Sequence, residues 1–222
     1  MSDYYRIDSH KLIFHPARVA KWLAGEDIYP LYIEIAPFGG CNHRCIFCAL
    51  DYLKYQPNII RTQKLKEFLR DIAARGTKSV MFAGEGEPLL HRDIAGLVSY
   101  AKKRGLDVAI TTNGVLLRQE LLNKVLGYLS WLRISLNAGT AKTYAKVHRS
   151  HPQDFAQVMA NLRQAVSLRN KKKYPCVIGV QLLLLKQNYR EVSRLAKALK
   201  QLGADYLIIK PYSQHPASLN RL

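Results

Sequence analysis

Three cysteines, Cys41, Cys45 and Cys48, lie within one stretch of eight residues. They follow an apolar run that predicts a β-strand, and the glycine, asparagine, histidine and arginine around them favour a loop. Three thiolates on one loop can bind a single inorganic centre, but a closed zinc site or a fully protein-bound 4Fe-4S cluster needs four ligands. The pattern therefore indicates a metal centre with one open coordination position, where chemistry can occur.

Two other interpretations of these cysteines are open. Free cysteines are often small core residues, although three on a polar loop are poorly placed for a core. Zinc is the second alternative, because His43 could complete a Cys3His set. However, His43 lies between the first two cysteines, whereas zinc loops usually bring the second ligand pair from elsewhere in the chain. The fourth cysteine, Cys176, stands alone beside Pro175 and is predicted to be structural, in or beside a strand.

The chain of 222 residues is long enough to bury a substantial core without disulfides, and its size predicts one large domain. Its start lacks the short apolar stretch of a signal peptide, and its most apolar run, residues 177–185, is too short to span a bilayer. We expect a soluble, cytoplasmic protein. A reducing compartment also suits a metal cluster bound by thiolates.

The net charge of +18 is concentrated in the second half of the chain. Residues 1–110 carry 16 basic and 12 acidic side chains, whereas residues 111–222 carry 18 and 4. Such an imbalance favours anionic partners, either phosphorylated small molecules or nucleic acid. A merely solvated basic surface is an equally weighted alternative, because part of the excess lies on outward helix faces and in a loop predicted at residues 171–173.

Six short apolar runs alternate with amphipathic stretches, which is typical of a parallel sheet with crossover helices. The predicted strands are residues 31–36, 79–83, 107–112, 131–136, 177–184 and 206–210. Apolar residues at helical spacing predict helices near residues 65–73, 94–101, 121–126, 155–166 and 192–202. Residues 1–30 are interpreted as an N-terminal lead-in of undetermined structure, residues 31–213 as the core and residues 214–222 as a C-terminal tail.

Polar residues collect directly after the predicted strands, including the three cysteines after the first and a glycine-rich turn after the second. In a barrel of parallel strands these ends open on one face, where such folds hold ligands. Six units rather than eight predict an incomplete barrel. The expected fold class is therefore α/β, a partial (β/α)6 TIM-like barrel of parallel strands with outer helices and an open side.

The cysteine spacing, with the aromatic Phe47 directly before the last cysteine, resembles the cluster loop of the radical S-adenosylmethionine (radical SAM) superfamily. The open six-unit barrel resembles the core of the same family over about residues 30–213. The resemblance implies a 4Fe-4S cluster with three irons held by Cys41, Cys45 and Cys48, and a fourth iron chelated by the amino and carboxylate groups of S-adenosylmethionine (SAM).

The same resemblance implies an enzyme. Its reduced cluster would cleave SAM to methionine and a 5'-deoxyadenosyl radical, which takes a hydrogen atom from the substrate. The protein would bind and orient the cofactor and the substrate and would exclude water. A reducing electron donor of flavodoxin or ferredoxin type is the implied partner.

The turn of Gly84, Glu85, Gly86, Glu87 and Pro88 resembles the family's glycine-rich Glu-Pro turn, which meets the methionine amine. Glycines let backbone approach a ligand, and a carboxylate or carbonyl accepts a hydrogen bond from an ammonium group. Many relatives have two adjacent glycines where Glu85 intervenes, which leaves open whether Glu85 faces the site or the neighbouring loop. This reading predicts that Gly86→Val blocks SAM binding without removing the cluster.

Ser135 and Asn137 resemble the polar pair on the fourth strand that contacts the ribose or the methionine carboxylate, although many relatives have aspartate at the position of Asn137. Arg149 could pair with the cofactor carboxylate as a fixed guanidinium fork, and a solvated arginine has equal weight.

Phe47 and residues 178–180 are expected to flank the adenine, where Gly179 would permit close approach of the backbone. The candidates to line the cavity are Thr111, Thr112, Asn113, Gln181, Lys210 and Tyr212, of which Asn113, Gln181 and Tyr212 are also assigned to cofactor binding. His148, His151 and His215 are given no role as ligand or base. His43 and Arg44 are expected to flank the cluster and tune its potential.

The favoured function is a radical SAM enzyme that abstracts hydrogen from an unidentified anionic small molecule. One alternative is a radical SAM enzyme that acts on a peptide or on RNA. Peptide-modifying relatives commonly carry a C-terminal extension with further cysteines, whereas this chain stops about ten residues after its sixth strand. A less favoured alternative is a basic, metal-stabilised nucleic-acid-binding module, for which the sequence lacks the expected basic and aromatic repeat.

Overall fold

Six parallel strands form one sheet, and their order in the sheet is their order in the chain. The computed structural model describes residues 9–222, with side chains from residue 12 onward. The strands are β1 (Tyr32–Ile35), β2 (Ser79–Phe82), β3 (Asp107–Thr112), β4 (Trp131–Ser135), β5 (Val177–Leu184) and β6 (Tyr206–Pro211). Within these described residues β1 and β6 do not pair, so the sheet stays open. The predicted six-unit partial barrel is confirmed, and each predicted strand agrees with an observed one to within one residue at either end.

Helices connect successive strands on one face of the sheet, and one further helix precedes β1. They are α1 (Pro16–Leu23), α2 (Thr62–Ala74), α3 (Ile94–Lys103), α4 (Gln119–Val125), α5 (Ala141–His148), α6 (Pro152–Lys172) and α7 (Val192–Leu202). The five predicted helices are confirmed. Two helices were not predicted, α1 in the lead-in and α5, and residues 1–8 of the lead-in lie outside the described residues. In the described part of the chain, no helix combines the length and apolarity needed to cross a membrane.

The two faces of the sheet have different roles, because successive side chains of a strand point to opposite sides. One face packs against the helices and forms the main core, with Val80, Phe82, Val108 and Leu132 fully buried. We call the other face the inner face. Met81, Ala109 and Trp131 form a small apolar cluster there, and polar strand residues such as Thr111 and Arg133 share its parity. One side of the sheet therefore carries the main core, and the other carries a small apolar cluster with polar side chains beside it.

The prediction of a loop at residues 171–173 is wrong. Lys171 and Lys172 are the last residues of α6, and Lys173 ends that helix in the left-handed conformation with φ 54°. Basic side chains are favourable at this end, since they interact with the negative end of the helix dipole. Cys176 lies just before β5 and is buried, as predicted.

Helix α5 is held at its start by Glu191, which immediately precedes α7. The carboxylate of Glu191 accepts hydrogen bonds from Gly139 N–H at 2.8 Å, from Thr140 Oγ1 at 2.9 Å and from Thr143 Oγ1 at 2.6 Å. Burial raises the pKa of Glu191, but these hydrogen bonds outweigh burial and hold the pKa below its ordinary value. The ionised carboxylate is therefore the form that fixes α5.

We expect Glu191→Gln to lower the free energy of unfolding by about 1–2 kcal/mol at pH 7, because it weakens three hydrogen bonds to a charged group. Since the folded-state pKa is lowered, the carboxylate stabilises the fold above its ordinary pKa of about 4.3 and loses this effect as the pH falls through the folded-state pKa. The difference between wild type and variant should shrink accordingly in urea denaturation below about pH 4.

The matched control is Glu120→Gln, which removes an exposed carboxylate paired with Lys124 at 2.7 Å and should cost at most about 0.5 kcal/mol. Equal effects of the two substitutions would show that Glu191 does not hold α5.

Candidate functional site

A cavity of about 150 Å³ lies between the cysteine loop and the carboxyl ends of β2, β3 and β4. The loop follows β1, the turn at residues 84–88 follows β2, and the ends of β3 and β4 complete the wall. The residues that line it are Cys41, His43, Cys45, Phe47, Gly84, Gly86, Glu87, Thr111, Thr112, Asn113, Ser135 and His148. The structure therefore brings together two predicted metal ligands, the glycine-rich turn and the predicted polar strand ends.

Burial on the cysteine loop makes the ionisation of two of its thiols, those of Cys41 and Cys45, unfavourable. Burial raises the pKa of Cys41 to about 11, and burial also raises the pKa of Cys45 well above its ordinary value. Cys48 and the other thiols raise these pKa values further, so the three sulfurs lie within electrostatic range of one another. Metal ligation requires thiolates, and the positive charge of bound iron compensates for their burial. The donor set fits a centre held by three thiolates.

Helix α5 anchors the cysteine loop from one side. Arg44 N–H donates to the carbonyl of His148 at 3.1 Å, and Ile46 N–H donates to the carbonyl of Val147 at 2.9 Å. Both acceptors are carbonyls of the last turn of α5, which have no partner within the helix. The end of one helix thus fixes the backbone between the first and last cysteines.

The C-terminal tail holds the loop from the other side. Leu219 N–H and Asn220 N–H donate to the Asp51 carboxylate at 2.7 and 2.8 Å, and Ser218 Oγ donates to the carbonyl of Cys48 at 3.2 Å. Burial raises the pKa of Asp51, but the hydrogen bonds from the tail outweigh it and keep the pKa below its ordinary value. The predicted tail is therefore docked next to the last cysteine.

His148, for which no role was predicted, lies at the centre of the site and is 1% exposed. Its Nδ1 is 3.2 Å from Cys45 Sγ, and its Nε2 accepts a hydrogen bond from Asn137 N–H at 3.2 Å. Because Nε2 accepts, the proton of the neutral ring is on Nδ1, which donates to the sulfur. Burial and nearby His43 hold the pKa of His148 well below its ordinary value, so the ring is neutral at pH 7.

The sequence contains one indication that His148 is buried. His148 lies four residues after Tyr144, so the two side chains share one face of a helix, and their rings stack at 4.2 Å. This spacing has a meaning only within α5, which the sequence does not predict.

His43 is buried beside the same cavity, 3.6 Å from Asp154, and neither of its ring nitrogens has a hydrogen-bond partner among the described residues. Three possible metal-ligand atoms lie within 4.8 Å of one another, one each from His43, Cys45 and His148. This group differs from the predicted zinc set, because it takes one cysteine and two histidines. Cys41 and Cys48 lie outside it, so it does not account for the three-cysteine pattern.

Glu87 ties the glycine-rich turn to the end of β3. Its carboxylate accepts hydrogen bonds from Leu89 N–H at 3.0 Å, from Thr112 Oγ1 at 2.6 Å and from Asn113 N–H at 2.8 Å. Burial raises the pKa of Glu87, and these hydrogen bonds oppose the rise only in part. The carboxylate is engaged within the protein, and its neighbour Pro88 is also buried.

Gly86 is required by a close approach of two backbones. A Cβ at this position would lie 2.1 Å from the carbonyl oxygen of Phe38 and 2.5 Å from that of Gly40, directly before Cys41. The expectation that Gly86→Val spares the cluster loop is therefore wrong, because the added side chain would displace the backbone that carries the first cysteine. Glu85 lines a separate pocket with Gln56 and other residues of the neighbouring loop, which answers the question of where it faces.

Several predicted cofactor residues have structural partners. Asn137 is buried, and its side-chain oxygen accepts from Leu183 N–H at 2.6 Å. Gly179 lies in the first half of β5, and a Cβ there would meet the Tyr206 ring at 2.1 Å. The predicted approach of Gly179 to the adenine is corrected accordingly, since a protein ring already covers this glycine.

The remaining predicted residues are spread around the cavity. The side chain of Asn113 donates to Asn42 Oδ1 at 2.7 Å, so it braces the cysteine loop. Arg149 is exposed at the end of α5, and its charge lowers the pKa of Cys45. The Tyr212 hydroxyl donates to Gln214 at 2.8 Å. The amide oxygen of Gln181 is buried without a hydrogen-bond partner in the described part of the chain.

Comparison with known proteins identifies what the chain resembles. The sequence model of the radical SAM superfamily matches residues 35–199. A GTP 3',8-cyclase from Chlorobaculum tepidum is 34% identical over 83% of the chain and 55% of the cyclase. An AdoMet-dependent heme synthase from Methanosarcina barkeri is 28% identical over 74% of the chain and 46% of the synthase. The chain thus spans about half the length of these relatives.

Solved structures share the fold. Streptococcus suis SuiB bound to S-adenosylmethionine superposes with a TM-score of 0.74 at 22% identity, over 95% of the chain and 48% of SuiB. SuiB bound to its precursor peptide SuiA superposes with a TM-score of 0.73 over the whole chain and 50% of SuiB. At this level of identity, the likeness concerns the architecture only.

We expect Gly86→Ala to lower the free energy of unfolding by about 1–3 kcal/mol and to reduce iron uptake on reconstitution, because even a methyl group must push the backbone before Cys41. The control is Gly96→Ala in α3, where a Cβ meets nothing within 4 Å and the helix should gain about 0.5–1 kcal/mol. Wild-type iron content in a fully folded Gly86→Ala protein would contradict the packing argument.

We expect His148→Phe to lower the reduction potential of the reconstituted cluster by tens of millivolts, because hydrogen bonds to cluster sulfurs favour the reduced, more negative state. Potentiometric titration followed by electron paramagnetic resonance measures the shift. The control is His151→Phe, since His151 is exposed at the start of α6. An unchanged potential in an iron-replete His148→Phe protein would show that the Nδ1 proton does not act on Cys45.

Proposed function

The chain belongs to the radical SAM superfamily, and we propose that Cys41, Cys45 and Cys48 hold the 4Fe-4S cluster that this superfamily uses together with SAM. Membership of the superfamily makes the chain an enzyme. The observation that supports the residue assignment is the cavity in which the cysteine loop faces the turn at residues 84–88. The cluster, when bound and reduced, supplies the electron that cleaves SAM to methionine and a 5'-deoxyadenosyl radical, which abstracts a hydrogen atom from the substrate.

We propose that the turn at residues 84–88 binds the methionine amine through its backbone carbonyls. The Glu87 carboxylate already accepts three hydrogen bonds inside the protein, so the carbonyls of the turn are the better acceptors for an ammonium group. Gly84 and Gly86 both line the cavity and place those carbonyls beside it. Glu87 acts as a positioning residue, because it joins the turn to β3.

Three further side chains are proposed to orient the cofactor. The Ser135 hydroxyl lines the cavity at the end of β4 and is assigned to the ribose or the methionine carboxylate. Arg149, whose charge acts on Cys45, is assigned to the carboxylate. Phe47 packs edge to face on His148, with ring centroids 5.5 Å apart, and is placed beside the adenine. Together these apolar and polar walls exclude water from the reacting atoms.

The proposed substrate is an anionic small molecule, and the reductant is proposed to be a flavodoxin-like or ferredoxin-like protein in the cytoplasm. The basic second half of the chain supports an anionic substrate, since its positive field attracts such molecules. The similar proteins do not point to one substrate, because the names of two refer to heme and to GTP, and SuiB was solved with a peptide. The class of the substrate, an anionic small molecule, is therefore proposed from the charge of this chain's own residues.

Anaerobic reconstitution with iron and sulfide tests the proposal. We expect about four irons per chain and formation of 5'-deoxyadenosine from SAM after reduction. Alanine at Cys41, Cys45 or Cys48 should abolish both, whereas the matched variant Cys176→Ala, which removes a buried cysteine outside the loop, should leave iron binding intact. Deuterium transfer into 5'-deoxyadenosine then ranks anionic metabolites against peptide and RNA.

Two results would contradict this function. Uptake of zinc but no iron under reducing conditions would contradict the proposed redox chemistry, because zinc cannot supply the electron that cleaves SAM. An iron-replete protein that forms no 5'-deoxyadenosine would separate the cluster from the proposed reaction with SAM.

A further inference from the structure

The inner face of the sheet carries an arginine, Arg133, that forms no ion pair with a carboxylate of the described residues. Arg133 lies in the middle of β4, in register with Thr111 on β3 and with Gly179 on β5. Thr111 lines the cavity beside the cysteine loop, so Arg133 is its direct neighbour across the strands. No carboxylate oxygen of the described residues lies within ion-pair distance of Arg133.

The contacts that Arg133 makes with the described residues leave its Nε without a hydrogen-bond partner. The guanidinium stacks over the Trp131 ring at 4.9 Å, and Nη2 is 4.0 Å from the Met81 sulfur. Nε is buried without a hydrogen-bond partner among the residues described. An aromatic face holds the cation in place, but it does not satisfy the in-plane N–H donors. A partly buried guanidinium in this state lacks the acceptor that it is shaped to bind.

The acidic side chains of the same parity do not supply that acceptor. Glu34 is exposed on β1, in register with Met81, and it forms no ion pair with Arg133 among the described residues. Tyr32 donates to Glu34 at 3.3 Å, and Asp107 accepts from Lys102 at 2.8 Å. Both carboxylates therefore have other partners.

The charge of Arg133 is felt across the inner face. Burial and Glu34 raise the pKa of Tyr32 to about 12, and Arg133 opposes this rise. On the next layer towards the cavity, Gln181 pairs in register with Ser135, and its amide oxygen is buried without a partner in the described structure. Two adjacent layers thus contain polar atoms that have no hydrogen-bond partner in the described part of the chain.

We propose that Arg133 binds an oxyanion of the substrate, a phosphate or a carboxylate, on the inner face beside Thr111. The guanidinium fork donates hydrogen bonds to two oxygens of such a group, while Trp131 holds the plane of the fork. Naming this ligand as the substrate rests on the proposed function, whereas the oxyanion site itself rests on Arg133 and its surroundings.

Fluorescence of Trp131 in the full chain tests the site without cluster or SAM. Trp22→Phe leaves Trp131 as the single tryptophan, and Trp22 is 64% exposed on α1. We expect a saturable fluorescence change with inorganic phosphate or with succinate at constant ionic strength, and the stronger ligand identifies the oxyanion. Arg133→Met in this background should weaken binding at least about tenfold, since it removes a charge-assisted bidentate pair.

The control is Arg163→Met on α6, which makes the same charge change beside a groove on the outer helices and should leave the affinity within about twofold. Arg133→Lys keeps the charge but loses the fork, so it should bind with intermediate affinity and serves if Arg133→Met does not fold. Wild-type affinity in Arg133→Met or Arg133→Lys, or the absence of saturation with both probes, overturns the proposal. Failure to form 5'-deoxyadenosine would instead contradict the proposed function and leave this measurement unaffected.

Discussion

The site depends on two backbone hydrogen bonds between the cysteine loop and the last turn of α5. They use carbonyls that a helix end leaves without internal partners, so the same contacts satisfy the helix and fix the loop. The helix is fixed in turn by Glu191 at its other end. A carboxylate near the start of α7 therefore contributes, through α5, to the position of the cysteine loop, although it is in a different part of the sequence.

In this arrangement one residue, His148, has two roles. The backbone carbonyl of His148 holds the cysteine loop, and its ring nitrogens link Cys45 to the backbone of Asn137 at the end of β4. The position of the sulfur and the proton that faces it are thus set by the same residue. A neutral, buried imidazole suits this task, because a charged ring would need an additional partner in the cavity.

The fold and the ligand pattern could be predicted because their signals are local. The strands are apolar runs, and Cys41, Cys45 and Cys48 are close in sequence. The role of His148 could not be predicted in this way, because it rests on contacts with Cys45, 103 residues earlier. Gly86 shows the same limit. Its type indicated a close approach of backbone, but only the three-dimensional structure identifies Phe38 and Gly40 as the groups that come close. The docked tail depends on Asp51, which has no distinguishing motif.

Along β4, the inner face carries two side chains to which different ligands are assigned, Ser135 and Arg133. Ser135 lines the cavity beside the cysteine loop, and Arg133 lies two residues earlier, about 7 Å further from the strand end. Since side chains of the same parity share a face, residues at the strand ends can serve the cofactor while the next layer serves a second molecule. A change at Arg133 would alter that layer without touching the hydrogen bonds that hold the cysteine loop.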